Sequence, residues 1–87
     1  MLVMGLRRYG LVTCITRFIS FKPLTLEIKK VRDACINVNT VVIYNTRPCN
    51  STAKIFDFLV DEYEKNGYSG EWELHHQGGL VGYNSRE

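Results

Sequence analysis

The chain opens on two short apolar runs separated by charge and a glycine. Leu2–Leu6 is apolar, Arg7-Arg8-Tyr9-Gly10 interrupts it, and Leu11–Phe21 reads L-V-T-C-I-T-R-F-I-S-F. The second run is rich in β-branched and aromatic residues, which suit a pleated, half-buried surface better than a helix. Two such runs around a tight connection predict a β-hairpin. Successive strand residues point to opposite faces. Val12, Cys14, Thr16, Phe18 and Ser20 should therefore share one face, and Thr13, Ile15, Arg17, Ile19 and Phe21 the other. Both faces carry apolar groups, so the hairpin is expected to be covered on both sides.

The period then changes. Pro23 can open a helix but cannot sit inside one. From Thr25 to about Asn45, the residues Ile28, Val31, Cys35, Val38, Val41 and Val42 recur at helical spacing. That spacing predicts one apolar stripe on a long helix. Asn37, Asn39 and Thr40 are poor helix formers, so packing must hold this helix together. Thr46-Arg47-Pro48-Cys49 should stop it. Asn50, Ser51 and Thr52 are all good N-caps for a second helix. Its expected buried stripe is Ile55, Phe56, Leu59, Val60 and Tyr63, with Asp57, Asp61, Glu62 and Glu64 on its wet side. Gly67 is a natural residue to end it. Glu71–His75 alternates around Trp72 and Leu74 like a strand, Gly78-Gly79 makes a turn, and Leu80–Tyr83 reads as a further strand. The pattern is α+β: a β-hairpin, two helices, then further strands, in a single domain over residues 1–87.

Composition narrows the possibilities. Eighty-seven residues have room for one modest core. Eleven Lys+Arg against nine Asp+Glu leave a net charge of +2, too small a field to argue for nucleic acid or a membrane as partner. No apolar run approaches the roughly 20 residues a membrane helix needs. Cys14, Cys35 and Cys49 are odd in number and widely spaced, with no CxxC. Free thiols in a reducing, cytoplasmic setting are the simplest reading. Met1–Leu26 is basic and lacks an acid before Glu27, which faintly resembles a transit peptide. The strand-like alternation of Leu11–Phe21 outweighs that signal.

The densest chemistry is His75-His76-Gln77-Gly78-Gly79-Leu80-Val81-Gly82-Tyr83, followed by Arg86-Glu87. Histidine moves protons near neutral pH or binds metal, and glycine lets backbone approach a ligand. Adjacent histidines on a strand would point apart and not chelate one ion. Short motifs are weakly specific, so on its own this stretch reads first as a tight turn with exposed histidines and second as a binding site. Arg17, beside Thr16, could pair with a substrate anion, although a surface ion pair is the commoner role. Cys14 has no local base and reads as a buried strand cysteine before a nucleophile. There is no phosphate loop and no HExxH.

Taken in order, these segments resemble a known family. They are the hairpin ending T-R-F-I-S-F, the helix ending T-R-P, the helix beginning S-T-A-K-I-F, and G-Y-S-G-E-W-E-L-H-H-Q-G-G-L-V-G-Y-N-S-R-E. Together they look like the catalytic domain of the pita-bread metallopeptidases: Xaa-Pro dipeptidase (prolidase), aminopeptidase P, creatinase and methionine aminopeptidase. The likeness covers nearly all of Val3–Glu87 and is strongest to prolidase-like members with an H-H-Q-G-G turn.

The resemblance implies a partial pita-bread domain, without the family's N-terminal domain. That family uses two divalent metal ions (manganese, cobalt or zinc) to activate a bridging water. Two aspartates on the hairpin, a histidine in the glycine-rich turn and two later glutamates hold them. By the family pattern the aspartates fall on Val3 and Cys14 and the ligand histidine on Gly79. The first histidine of the turn matches His75, and a later histidine near the leaving group falls on Arg86. The glutamates would lie past Glu87. Valine and glycine offer no side-chain ligand, and a lone thiolate favours softer ions. No metal is therefore expected in this chain.

His75 remains as the candidate catalytic residue, with His76, Gln77, Arg86 and Arg17 as candidate substrate contacts. The expected function is that of a fragment of a Xaa-Pro dipeptidase-like hydrolase, inactive alone. The alternative is a non-catalytic peptide- or small-molecule-binding module with a degenerate pocket. A small peptide is the expected ligand. Part of a domain leaves sheet edge and core surface open, so a homo-oligomer or an exposed apolar face is expected too.

Overall fold

The computed structural model describes residues 1–79. It is α+β, with an antiparallel hairpin followed by two helices. The described chain forms two compact units, one of Met1–Pro23 with residues 77–79, the other spanning Leu24–His76.

Strands β1 (Leu2–Arg8) and β2 (Leu11–Arg17) pair in register from Leu2 opposite Arg17 to Arg8 opposite Leu11. The two residues between them, Tyr9 and Gly10, both have positive φ, 53° and 79°. That is the signature of a type I′ turn, whose twist matches the flanking strands. Tyr9 is an unusual residue for it, because a side chain is disfavoured at positive φ. The Arg8 guanidinium donates to the Tyr9 hydroxyl at 2.9 Å and lies 4.7 Å above its ring, holding the tyrosine over the turn.

Two expectations for the hairpin change. Strand β2 ends at Arg17, four residues before Phe21, because β1 begins opposite Arg17 and, among the described residues, no further strand pairs with it. Nor is the hairpin covered on both sides. Only Val12 and Ile15 of its strands are half-buried, and the rest are exposed.

Helix α1 spans Leu26–Asn45. Thr25 caps it, its hydroxyl accepting from the Ile28 amide at 3.3 Å. Glu27 in the first turn complements the helix dipole. The polar residues that weaken the second half are absorbed locally. Thr40 donates to the Ile36 carbonyl at 2.7 Å and Asn45 to the Val41 carbonyl at 2.8 Å. The four carbonyls that a helix C-terminus orphans each find a donor. The Thr46 amide and hydroxyl serve Val42, its amide also reaches Ile43, Arg47 serves Tyr44, and the Asn50 side chain serves Asn45. The T-R-P signature is thus a helix stop, with the Arg47 guanidinium also 5.0 Å from the Tyr44 ring.

A short connection leads to α2 (Thr52–Lys65), capped by Ser51, whose hydroxyl accepts from the Lys54 amide at 3.2 Å. Its end is a Schellman motif. The Tyr68 amide donates to the Tyr63 carbonyl and the Gly67 amide to the Glu64 carbonyl, both at 2.9 Å, with Gly67 at φ 80°. The two helices pack on Ala34, Val38 and Leu59, the buried residues of this unit. Val41, Val42, Ile55, Val60 and Tyr63 are half-buried around them. Asn37 donates across to the Asn66 side chain at 2.9 Å, tying the middle of α1 to the end of α2.

The buried face of α1 is therefore rotated from the expected stripe. Ile28, Val31 and Cys35 are exposed, and Ala34 takes the contact. A small residue lets the second helix approach closely, which larger side chains at that position would prevent. On α2, Phe56 sits at the edge of the core, whereas Glu62, expected in water, is half-buried and pairs with Lys65 at 3.5 Å.

Glu71–His75 is not a strand. Gly70 takes φ 80° and Glu71–Leu74 forms a single 3-10 turn. Amides of Glu71 and Glu73 donate back to the Tyr68 and Gly70 carbonyls. The turn sets Trp72 edge-on against Phe56, ring centres 5.2 Å apart. Packing one tryptophan on α2 outweighs the weak alternation around it. The expected strand at Leu80–Tyr83 lies outside the described residues. Among the described residues no helix is long and apolar enough to cross a membrane.

Candidate functional site

On the hairpin, direct partners share a face. Val3 lies opposite Thr16 and Gly5 opposite Cys14. Val3 and Cys14 are therefore diagonal neighbours on one face, a spacing of roughly 7–8 Å between such positions. Arg17 lies opposite Leu2 on the other face, exposed, and donates to the Thr16 carbonyl at 2.8 Å. It does not join Cys14 and Val3. Cys14 is exposed, not buried as the strand pattern suggested.

The histidine pair follows the 3-10 turn. The two rings do not diverge, although the backbone of His75 is extended (φ −155°, ψ 153°). Their centres lie 4.2 Å apart at a 38° tilt. His75 Nδ1 is 2.9 Å from the His76 carbonyl oxygen. A carbonyl only accepts, so Nδ1 carries the proton and Nε2 is the basic nitrogen of the neutral ring. Both histidines are exposed, and Gln77 is half-buried. Gly79 has φ 129°, a backbone region that L side chains avoid. A histidine placed there would be strained, which agrees with glycine where the resemblance puts a ligand. Among the described residues no group of three or more His, Cys, Asp or Glu is arranged to hold a metal. Arg86 lies outside the described residues.

One grouping was not anticipated. Tyr63 of α2 carries a raised phenol pKa, mainly from burial and further from the neighbouring Cys35 and Glu71. Cys35 of α1 and Glu71 of the 3-10 turn are thus near enough to act on this phenol electrostatically. Helical spacing placed Cys35 and Tyr63 on apolar stripes, but Glu71 could join them only once its segment turned instead of extending.

Chemically, the described residues offer a basic imidazole nitrogen, exposed thiols and hydrogen-bonding groups, without a hard-metal cage. Searches against known protein families, curated proteins and solved structures found no match.

Proposed function

We propose that the chain is part of a pita-bread-type peptidase-like domain, related to the Xaa-Pro dipeptidases, that does not run the two-metal hydrolysis. The observation that carries this reading is the hairpin register. It sets Val3 and Cys14 on one face as diagonal neighbours. That is the geometry two metal-bridging carboxylates would need, at the two positions where the resemblance expects them. The scaffold spacing is kept and the ligands are replaced by valine and cysteine. The order of hairpin, long helix and second helix also fits the resemblance.

In this reading His75 supplies a basic nitrogen, and His76 and Gln77 offer hydrogen bonds to a small peptide. Arg86 remains a candidate carboxylate partner from its residue type alone. Water activation by a bridging metal is not expected, because valine and glycine supply no ligand atom. A non-catalytic peptide-binding module is the second reading. The exposed His75–His76 pair, with His75 Nδ1 bonded to the His76 carbonyl, favours it, since imidazoles bind by hydrogen bonding without metal.

The test is calorimetry of the whole chain with manganese and with a proline-containing dipeptide, alongside an assay of dipeptide hydrolysis. The proposal expects no stoichiometric manganese binding and no turnover, with or without the metal. Two tightly bound manganese ions, or hydrolysis above background, would overturn it. Dipeptide binding lost in His75→Ala without metal dependence would favour the binding module.

A further inference from the structure

The end of α2 carries the one Asn-Gly pair of the chain, Asn66-Gly67. This dipeptide is chemically labile. A backbone amide nitrogen that reaches the preceding asparagine's Cγ displaces ammonia and closes a five-membered imide, and glycine has no side chain to hinder the approach. The other asparagines precede Val, Thr or Ser, each with a Cβ in the way.

The fold keeps the two reacting groups apart. Asn66 has φ −84° and ψ 0°. At ψ 0° the Gly67 nitrogen eclipses the Asn66 nitrogen, so the side-chain branch at the tetrahedral Cα lies roughly a third of a turn away and the ring cannot close. The Gly67 amide proton is engaged as well, donated to the Glu64 carbonyl at 2.9 Å. The half-buried carboxamide is clamped at both ends. Its Oδ1 accepts from Asn37 Nδ2 of α1 at 2.9 Å, and its Nδ2 donates to the Glu62 carbonyl at 2.8 Å and the Glu62 carboxylate at 3.0 Å. These restraints sit at a helix end, where fraying opens backbone bonds first.

We propose that Asn66-Gly67 is a self-modification site, gated by the Asn37 clamp, whose conversion to aspartate or isoaspartate loosens α2 from α1. When the helix end opens, the Gly67 nitrogen gives its proton to water and attacks Asn66 Cγ. A C–N bond forms, the carboxamide nitrogen leaves as ammonia, and the imide remains. Water adds to either imide carbonyl and reopens the ring. The products are aspartate, or isoaspartate with its main chain running through the former side chain. Water is the only co-reactant. The conversion replaces a two-proton donor by an acceptor oxygen, so the Glu62 carbonyl and carboxylate each lose that donor. The new charge faces the Glu62 carboxylate and lies at the negative end of the α2 dipole. Isoaspartate also lengthens the backbone inside the paired bonds from Gly67 and Tyr68 that end the helix. All these residues lie within Leu24–His76, and none takes part in the peptide-binding reading.

The experiment incubates the full chain at neutral pH and physiological temperature, folded or in urea. Mass spectrometry follows the peptide containing Asn66, with chromatography to separate aspartate from isoaspartate and circular dichroism to verify folding. In urea, conversion at Asn66 should outrun that at every other asparagine. In the folded chain it should proceed about tenfold more slowly or less, because the helix end must open first. Asn37→Ala removes one clamp, and alanine favours helix at this exposed position, so the variant folds. It should raise the folded-state rate roughly fivefold, the equivalent of one net hydrogen bond. Asn66→Asp reproduces the aspartate product and should unfold at lower urea than the parent. Equal rates in folded and unfolded chains, no conversion of the folded chain, or a rate that ignores Asn37→Ala would each overturn the proposal. So would an Asn66→Asp variant as stable as the parent.

Discussion

Replacing Gly67 by alanine tests how α2 is terminated. Gly67 sits at φ 80°, and a Cβ added there meets nothing within 4 Å. The cost is therefore backbone strain alone. Holding an L-residue in the left-handed region costs about 1–2 kcal/mol. Alanine also restricts the unfolded chain, which returns about 0.4–1 kcal/mol. The net loss should be about 1 kcal/mol. Asparagine tolerates the left-handed region better, so Gly67→Asn should cost about half as much. The assay is urea unfolding followed by ellipticity at 222 nm, with both variants beside the parent. If Gly67→Ala matches the parent, the paired bonds from Gly67 and Tyr68 to Glu64 and Tyr63 do not hold the helix end, and the account of its stop is wrong.

Cys49 also lies at positive φ, 73°. Cys49→Asn should therefore stabilise the chain by about 0.5–1 kcal/mol in the same unfolding assay. Leu59 is the most buried residue of a thin core, so Leu59→Ala should cost about 2–5 kcal/mol, visible as a large fall in the urea midpoint. Tyr63 is protonated more firmly when folded than when unfolded, because burial, Cys35 and Glu71 disfavour the phenolate. Its stabilising contribution is complete below the ordinary tyrosine range near 10 and is lost as pH rises through the higher folded value. Stability measured from pH 9 upward should fall more steeply in the parent than in Tyr63→Phe, and equal slopes would contradict this.

The parts of the fold that local chemistry decides were readable from residues. Ser51 was among three cap candidates for α2, Gly67 ends that helix, and the turn falls inside the Arg7–Gly10 break, because each depends on neighbours within a few positions; Thr25, read as the first helical residue, proves to be the cap. What could not be read depends on distant partners. The exact face of α1 was set by where α2 lands, and Ala34 carried no signal strong enough to outbid Ile28 and Val31. The segment around Trp72 alternates, yet the ring has Phe56 to pack on, which spacing alone cannot reveal. The candidate site was legible as residue types. Its arrangement was not: the histidine rings lie side by side where strand alternation would set them apart, and Arg17 is separated from Cys14 by the strand's own alternation.

Placing carboxylates at the two hairpin positions where the proposed reading expects them probes that reading most directly. Val3→Asp with Cys14→Asp puts two oxygen ligands on one hairpin face as diagonal neighbours. Manganese calorimetry on this double variant and on the parent is the decisive measurement. The account predicts no stoichiometric binding by the parent and at most weak binding by the double variant, which still lacks the turn histidine and the two glutamates. Tight, stoichiometric manganese binding by the parent would contradict it.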